Sequence, residues 1–79
     1  MFCLHFYGNL AHSIGRTICL DTEKCVNIYL LVEELLRSKN EPISVDELLI
    51  TTADGKQVAH ESTTCDLSEV RVMRLVRGG

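Results

Sequence analysis

The residues with the most chemical promise in this sequence are its last two, Gly78 and Gly79. Together they would present a carboxylate at the end of a sterically bare arm. A carboxylate becomes reactive only when activated, for example as an acyl-adenylate, and it can then take up sulfur or acylate an amine. Activation requires threading the arm into another enzyme's narrow channel. Glycine lacks the Cβ that would clash there, and its wide backbone freedom lets the arm straighten. The bland alternative is a frayed end, which most domains have.

Other reactive residue types are present but poorly arranged. His5, His12 and His60 are scattered over a strand and two loops, and each reads as a solvated or strand-face histidine. Glu33 and Glu34 fall on the outer face of a helix. Gly8, Gly15 and Gly55 are isolated turn glycines outside any phosphate-cradling motif. No nucleophile and base are set together, so no catalytic residue is assigned.

The four cysteines, Cys3, Cys19, Cys25 and Cys65, show neither a CxxC pair nor regular spacing. They are read as free thiols behaving as small apolar or surface residues. One alternative stays open, since Cys3 and Cys19 lie on strands that pair and can both face outward, which allows a facultative disulfide. A zinc site from Cys3, His5 and a third residue carries less weight, because zinc ligands usually come as close pairs joined by a turn.

The scaffold holding these residues must be small. Seventy-nine residues make one domain, and a chain of this length buries only roughly 60–65% of its unfolded surface. An enclosed active site is excluded. Hydrophobic residues at 46% and charged residues at 24% describe an ordinary globular domain. Eight Lys and Arg against 11 Asp and Glu give a net charge of -3. Without a basic block, nucleic acid is not an expected partner. The longest apolar run, 28–32, is far below the roughly 20 residues that cross a bilayer. No signal segment is recognised at Met1, and the expectation is a cytoplasmic monomer with no membrane association.

Residues 2–7 alternate, with Phe2, Leu4 and Phe6 on one face and Cys3, His5 and Tyr7 on the other, which predicts a half-buried strand. A second strand over 16–20 pairs with it after a long connection ending at Gly15. Asn27 can cap a helix beginning at Ile28, whose stripe of Ile28, Leu31 and Leu35 is widened by Val32 and Leu36. Lys39 suits the helix C-terminus and Pro42 forbids continuation. A third strand is predicted within 45–52, centred on 48–51, then a turn at Asp54-Gly55, a short strand at 57–59, a loop with one helical turn near 65–68, and a last strand over 70–75.

The order β-β-α-β-β-β is α+β, and the compact solution is a mixed sheet of four to five strands packed on one helix. The first and last strands lie side by side in its middle, parallel and joined by a right-handed crossover. Residues 1–75 form the domain and 76–79 project as a flexible tail.

This whole-chain pattern resembles the β-grasp sulfur carriers and ubiquitin-like modifiers: the molybdopterin synthase small subunit, the thiamine sulfur carrier, the ubiquitin-related modifier and their archaeal relatives. Leu4-His5-Phe6-Tyr7-Gly8-Asn9-Leu10 followed by Ile14-Gly15 resembles the opening of molybdopterin synthase small subunits. Asn27-Ile28 with Leu31 and Leu35 is similar to their helix start, and Asp66-Leu67-Ser68-Glu69-Val70 to their Asp-Gly-Asp-Glu-Val. Met73-Arg74-Leu75-Val76-Arg77 lacks their prolines and is closer to the Leu-Arg-Leu-Arg-Gly-Gly tail of ubiquitin, and the segment 50–58, with Gly55-Lys56-Gln57, also resembles ubiquitin.

The resemblance implies a carrier acted on by other enzymes. Gly79 would be adenylated by a ubiquitin-activating-type adenylyltransferase that uses ATP, the chain itself binding no cofactor and no metal. The product would be a thiocarboxylate delivered to a sulfur acceptor such as a cofactor or thionucleoside, or an isopeptide bond to a protein lysine. Gly78 would give clearance, while Arg77, Val76 and Arg74 would dock the activating enzyme. Met73, Arg71 and Leu49 or Ile50 would form an outward patch. A non-covalent interaction domain is the alternative.

Overall fold

A computed structural model of the chain describes residues 1–75. Its elements follow in the order β1 (Phe2–Phe6), α1 (Asn9–Ile14), β2 (Thr17–Leu20), α2 (Ile28–Ser38), a 3-10 turn (Val45–Glu47), β3 (Leu48–Thr51) and β4 (Glu69–Arg74). The four strands form one mixed sheet in the order β2-β1-β4-β3. β1 and β4 are the central, parallel pair, with Leu4 opposite Val70 and Phe6 opposite Val72. β2 and β3 flank them, each antiparallel to its neighbour.

Alternation along the strands builds the core. Phe2, Leu4 and Phe6 of β1, Ile50 of β3, and Val70 and Val72 of β4 are buried beneath α2. The helix answers with Ile28, Val32 and Leu36, a straight i, i+4, i+8 line, while Leu31 and Leu35 pack at its margin. Asn27 caps α2 as expected, its Oδ1 accepting from the Leu30 N–H at 3.1 Å. At the other end Asn40 adopts φ 55, and the N–H groups of Asn40 and Glu41 bond back to the carbonyls of Arg37 and Leu36. This left-handed closure stops the helix before Pro42 exerts its own block.

Four local expectations are corrected. The connection before Gly15 holds a short helix, α1, because Leu10 and Ile14, one turn apart, both enter the core. The third strand keeps its expected centre at 48–51, but residues 45–47, the first part of the predicted run, form a 3-10 turn. There Ser44 and Glu47 satisfy each other's backbone N–H groups in a capping box. The short strand at 57–59 reduces to a bridge between Thr51 and Gln57, with the Val58 N–H bonding to the Ile50 carbonyl at 2.9 Å. Only Val58 of that trio is buried, so the chain gains little by pairing further. Near 65–68 there is a hydrogen-bonded turn held by the Asp66 carboxylate accepting from Thr63, and no helical turn. The Asp54-Gly55 turn is present, with Gly55 at φ 89.

The cysteines require the largest correction. The free-thiol reading fails, because Cys3 is bonded to Cys19 and Cys25 to Cys65. Cys3 and Cys19 face each other across β1 and β2, with Cα atoms 4.0 Å apart. The Phe6 N–H bonds to the Arg16 carbonyl, which places Cys3 and Cys19 in the closer, non-hydrogen-bonded class of cross-strand pair. Cys25 and Cys65 meet because residues 22–28 are stitched to 60–65. Thr64 N–H donates to the Val26 carbonyl, Ile28 N–H to the Ser62 carbonyl, and Asn27 Nδ2 to the His60 carbonyl. With Cys3 oxidised, the zinc reading loses its thiolate.

Candidate functional site

The site is built around the end of β4. Because strand side chains alternate, burial of Val70 and Val72 sends Arg71 and Met73 to the opposite face of the sheet. There Arg71 lies between His5 of β1 and Thr51 of β3, and Met73 lies opposite Leu49. The outward patch therefore contains Leu49; Ile50 is fully buried and excluded from it. Met73 and Leu49 are half-buried, and Tyr7 and Arg71 are exposed.

Arg74 ends the strand on the inner side and reaches the carboxylate of Glu47 at 3.9 Å. Both side chains are about half exposed, so this pair orients more than it stabilises. The same Glu47 accepts the Leu75 N–H on its carbonyl at 2.9 Å. Glu47 is itself locked by its carboxylate accepting the Ser44 N–H at 2.9 Å. A tight 3-10 turn thus fixes the point at which the chain leaves the sheet. The role of Glu47 was missed in the sequence, although the Ser44-x-x-Glu47 capping signature was there to be read.

Beside this exit lies a groove of about 460 Å³, walled by Tyr7, Leu10, Ile43, Met73 and Arg74, with Glu41 at its rim. Met73 and Arg74 thus meet at this end of the sheet, while Arg71 lies further back on the outer face. Val76, Arg77, Gly78 and Gly79 lie outside the described residues.

The other chemically capable residues remain apart. His5 turns Nδ1 to the Thr17 hydroxyl at 3.2 Å and Nε2 to Glu69 at 3.7 Å. His60 stacks on Tyr29, ring centroids 4.5 Å apart. Tyr29 donates its hydroxyl to the Val58 carbonyl at 2.6 Å. Burial pushes the Tyr29 phenol above its ordinary pKa, opposed in part by a hydrogen bond with the Gln57 side chain. No cluster of three or more His, Cys, Asp or Glu able to hold a metal occurs among the described residues. No helix among them is long and apolar enough to cross a membrane.

A mixed sheet with parallel central terminal strands, wrapped over one principal helix, is the ubiquitin-like β-grasp fold. Among solved structures, the chain is similar to SAMP1 from Haloferax volcanii, with a TM-score of 0.69 and 17% sequence identity over 99% of this chain and 98% of that one. No family model and no curated protein sequence matches it. The similarity establishes the shared fold.

Proposed function

We propose that the chain is a small sulfur carrier or ubiquitin-like modifier that serves as a substrate of other enzymes. In this reading an activating adenylyltransferase joins the Gly79 carboxylate to AMP, releasing pyrophosphate from ATP. A sulfide-equivalent nucleophile then displaces AMP to leave a thiocarboxylate, or a lysine amine displaces it to form an isopeptide. The observation carrying the proposal is the anchoring of the β4 exit. Glu47 meets the Arg74 side chain and holds the Leu75 N–H, which ties the end of β4 to the β-grasp body as far as Leu75. Similarity to SAMP1 along nearly its whole length supports the same reading. Arg74, Met73 and Arg71 are the proposed docking contacts on the body, with Arg77 and Val76 continuing them along the tail and Gly78 providing clearance.

The test incubates wild-type chain with its activating enzyme and ATP, and follows release of pyrophosphate. Wild type is expected to turn over ATP and Gly79→Ala to lose most of that turnover. Equal turnover of the two, or none with wild type, would reject the proposal.

A second reading is favoured by the two disulfides. Cross-linked cysteines are typical of oxidising compartments, though disulfide-rich intracellular proteins of hyperthermophiles are an exception. In an oxidising setting a non-covalent interaction domain, using the face that carries Arg71, Met73 and Leu49, fits better than ATP-dependent activation in the cytoplasm. Thiol trapping in intact native cells separates them: reduced cysteines favour the carrier, and fully oxidised cysteines with no adenylation favour the interaction domain.

A further inference from the structure

The end of the sheet also carries a feature that the tail chemistry does not use. Between the end of β1, the short α1 and the start of β2 lies a cavity of about 560 Å³. His12 and Arg16 line it together with Tyr7, Asn9 and Thr17, and among the described residues no Asp or Glu does. In a chain with 11 acids and a net charge of -3, this is a local reversal of sign.

Arg16 is the central group. Among the described residues Arg37 is paired with Glu33 and Arg74 with Glu47, while Arg16 and Arg71 make no ion pair; of these two only Arg16 lines the cavity. Its backbone carbonyl is held by the Phe6 N–H at 2.8 Å, so the residue stands on the β1–β2 ladder and not on a free loop. A guanidinium is a planar fork of donors matched to two oxygens of one anion. His5 also lines the cavity, but its nitrogens already face Thr17 and Glu69, so it shapes the wall.

We propose that this cavity binds a phosphate group, with Arg16 supplying the charge and the fork, and His12 an imidazole N–H. Tyr7, Asn9 and Thr17 provide neutral polar groups around the same space. Polar groups just after β1, on α1 and at the start of β2 line this space, and a tetrahedral anion with oxygens in several directions suits that spread better than a planar carboxylate. The space is large enough for a phosphate carried on a small organic molecule. The site is independent of whether Gly79 is activated.

Amide chemical shifts of the full chain, titrated with inorganic phosphate, with adenosine monophosphate and with sodium chloride at matched ionic strength, test this. Saturable shifts at Tyr7, Asn9, His12, Arg16 and Thr17 are expected with phosphate and not with chloride. Tighter binding of the nucleotide would identify an organic phosphate as the ligand; equal binding would identify the free ion. Arg16→Gln should weaken phosphate binding about tenfold or more, the scale of one charge-assisted hydrogen bond. Lys56→Gln, in the turn after β3, removes the same charge elsewhere and should leave binding unchanged. If Arg16→Gln fails to fold, His12→Gln serves in its place and should also weaken binding. Chloride-like shifts, or equal weakening by Lys56→Gln, would overturn the site.

Discussion

The two faces of the sheet are made by the same strands and obey different rules. On the inner face Leu4 meets Val70 and Ile50 meets Val72, all fully buried beneath Ile28 and Val32 of α2. One residue along, the outer face runs Thr17, His5, Arg71, Thr51 across four strands, with Leu49 and Met73 beside them. The inner face is fixed by volume and the absence of water. The outer face follows the register that the inner face imposes; the Cys3–Cys19 bond and the buried Thr51 tie parts of it down, while Arg71 stays exposed. A partner can therefore be recognised by outer residues that contribute little to folding, and those residues can change without loss of the fold.

The sharpest break of this contrast is a pair of substitutions on the neighbouring strands β1 and β4, one register step apart and on opposite faces. Leu4→Ala should destabilise the domain by about 2–5 kcal/mol in denaturant unfolding, because a cavity opens where neighbours cannot collapse. Arg71→Ala should move stability by no more than about 0.5 kcal/mol. Comparable losses for the two would refute the division of labour.

The disulfides sharpen it next. Neither pair belongs to the hydrophobic core, so replacing either pair with serines should leave a folded protein. Each replacement should cost about 2–4 kcal/mol under non-reducing conditions. Cys25–Cys65 spans 40 residues and Cys3–Cys19 spans 16. Chain entropy makes the loss of the longer link greater by about 0.8 kcal/mol. The reverse order in urea unfolding would show that local geometry outweighs loop length.

The smallest effect lies in the seam beside α2. Burial raises the Tyr29 pKa in the folded state, so above about pH 10 the unfolded chain loses this proton first. Stability from this group is therefore complete below that pH and declines as pH rises through the unfolded and then the folded value. Tyr29→Phe should flatten that alkaline decline relative to wild type. An identical decline in both proteins would assign it to other groups.

Legibility of the fold in the sequence followed the range of the interactions. α2 was readable because its cap at Asn27 and its stripe lie within one segment. The strands of β1 and β4 were readable from alternation, and with them the placement of Arg71 and Met73 outward. α1 was harder, since it has six residues and Gly8 at its N-cap offers no side-chain cap. Cys25 and Cys65 carry no local signal. Their pairing depends on the 22–28 and 60–65 segments meeting through the Asn27–Thr63 bridge, a contact invisible in spacing. At the candidate site, Arg74 could be singled out, while its anchor Glu47 required knowing that β3 lies beside β4.

The central claim, that Gly79 is the reactive group, is tested most directly by intact-mass and peptide mass analysis of chain isolated from its native cells. The account predicts a fraction in which one terminal oxygen is replaced by sulfur, or lysine-containing peptides branched by the 76–79 tail. A population carrying only an unmodified carboxylate, with no branched peptides, would contradict it.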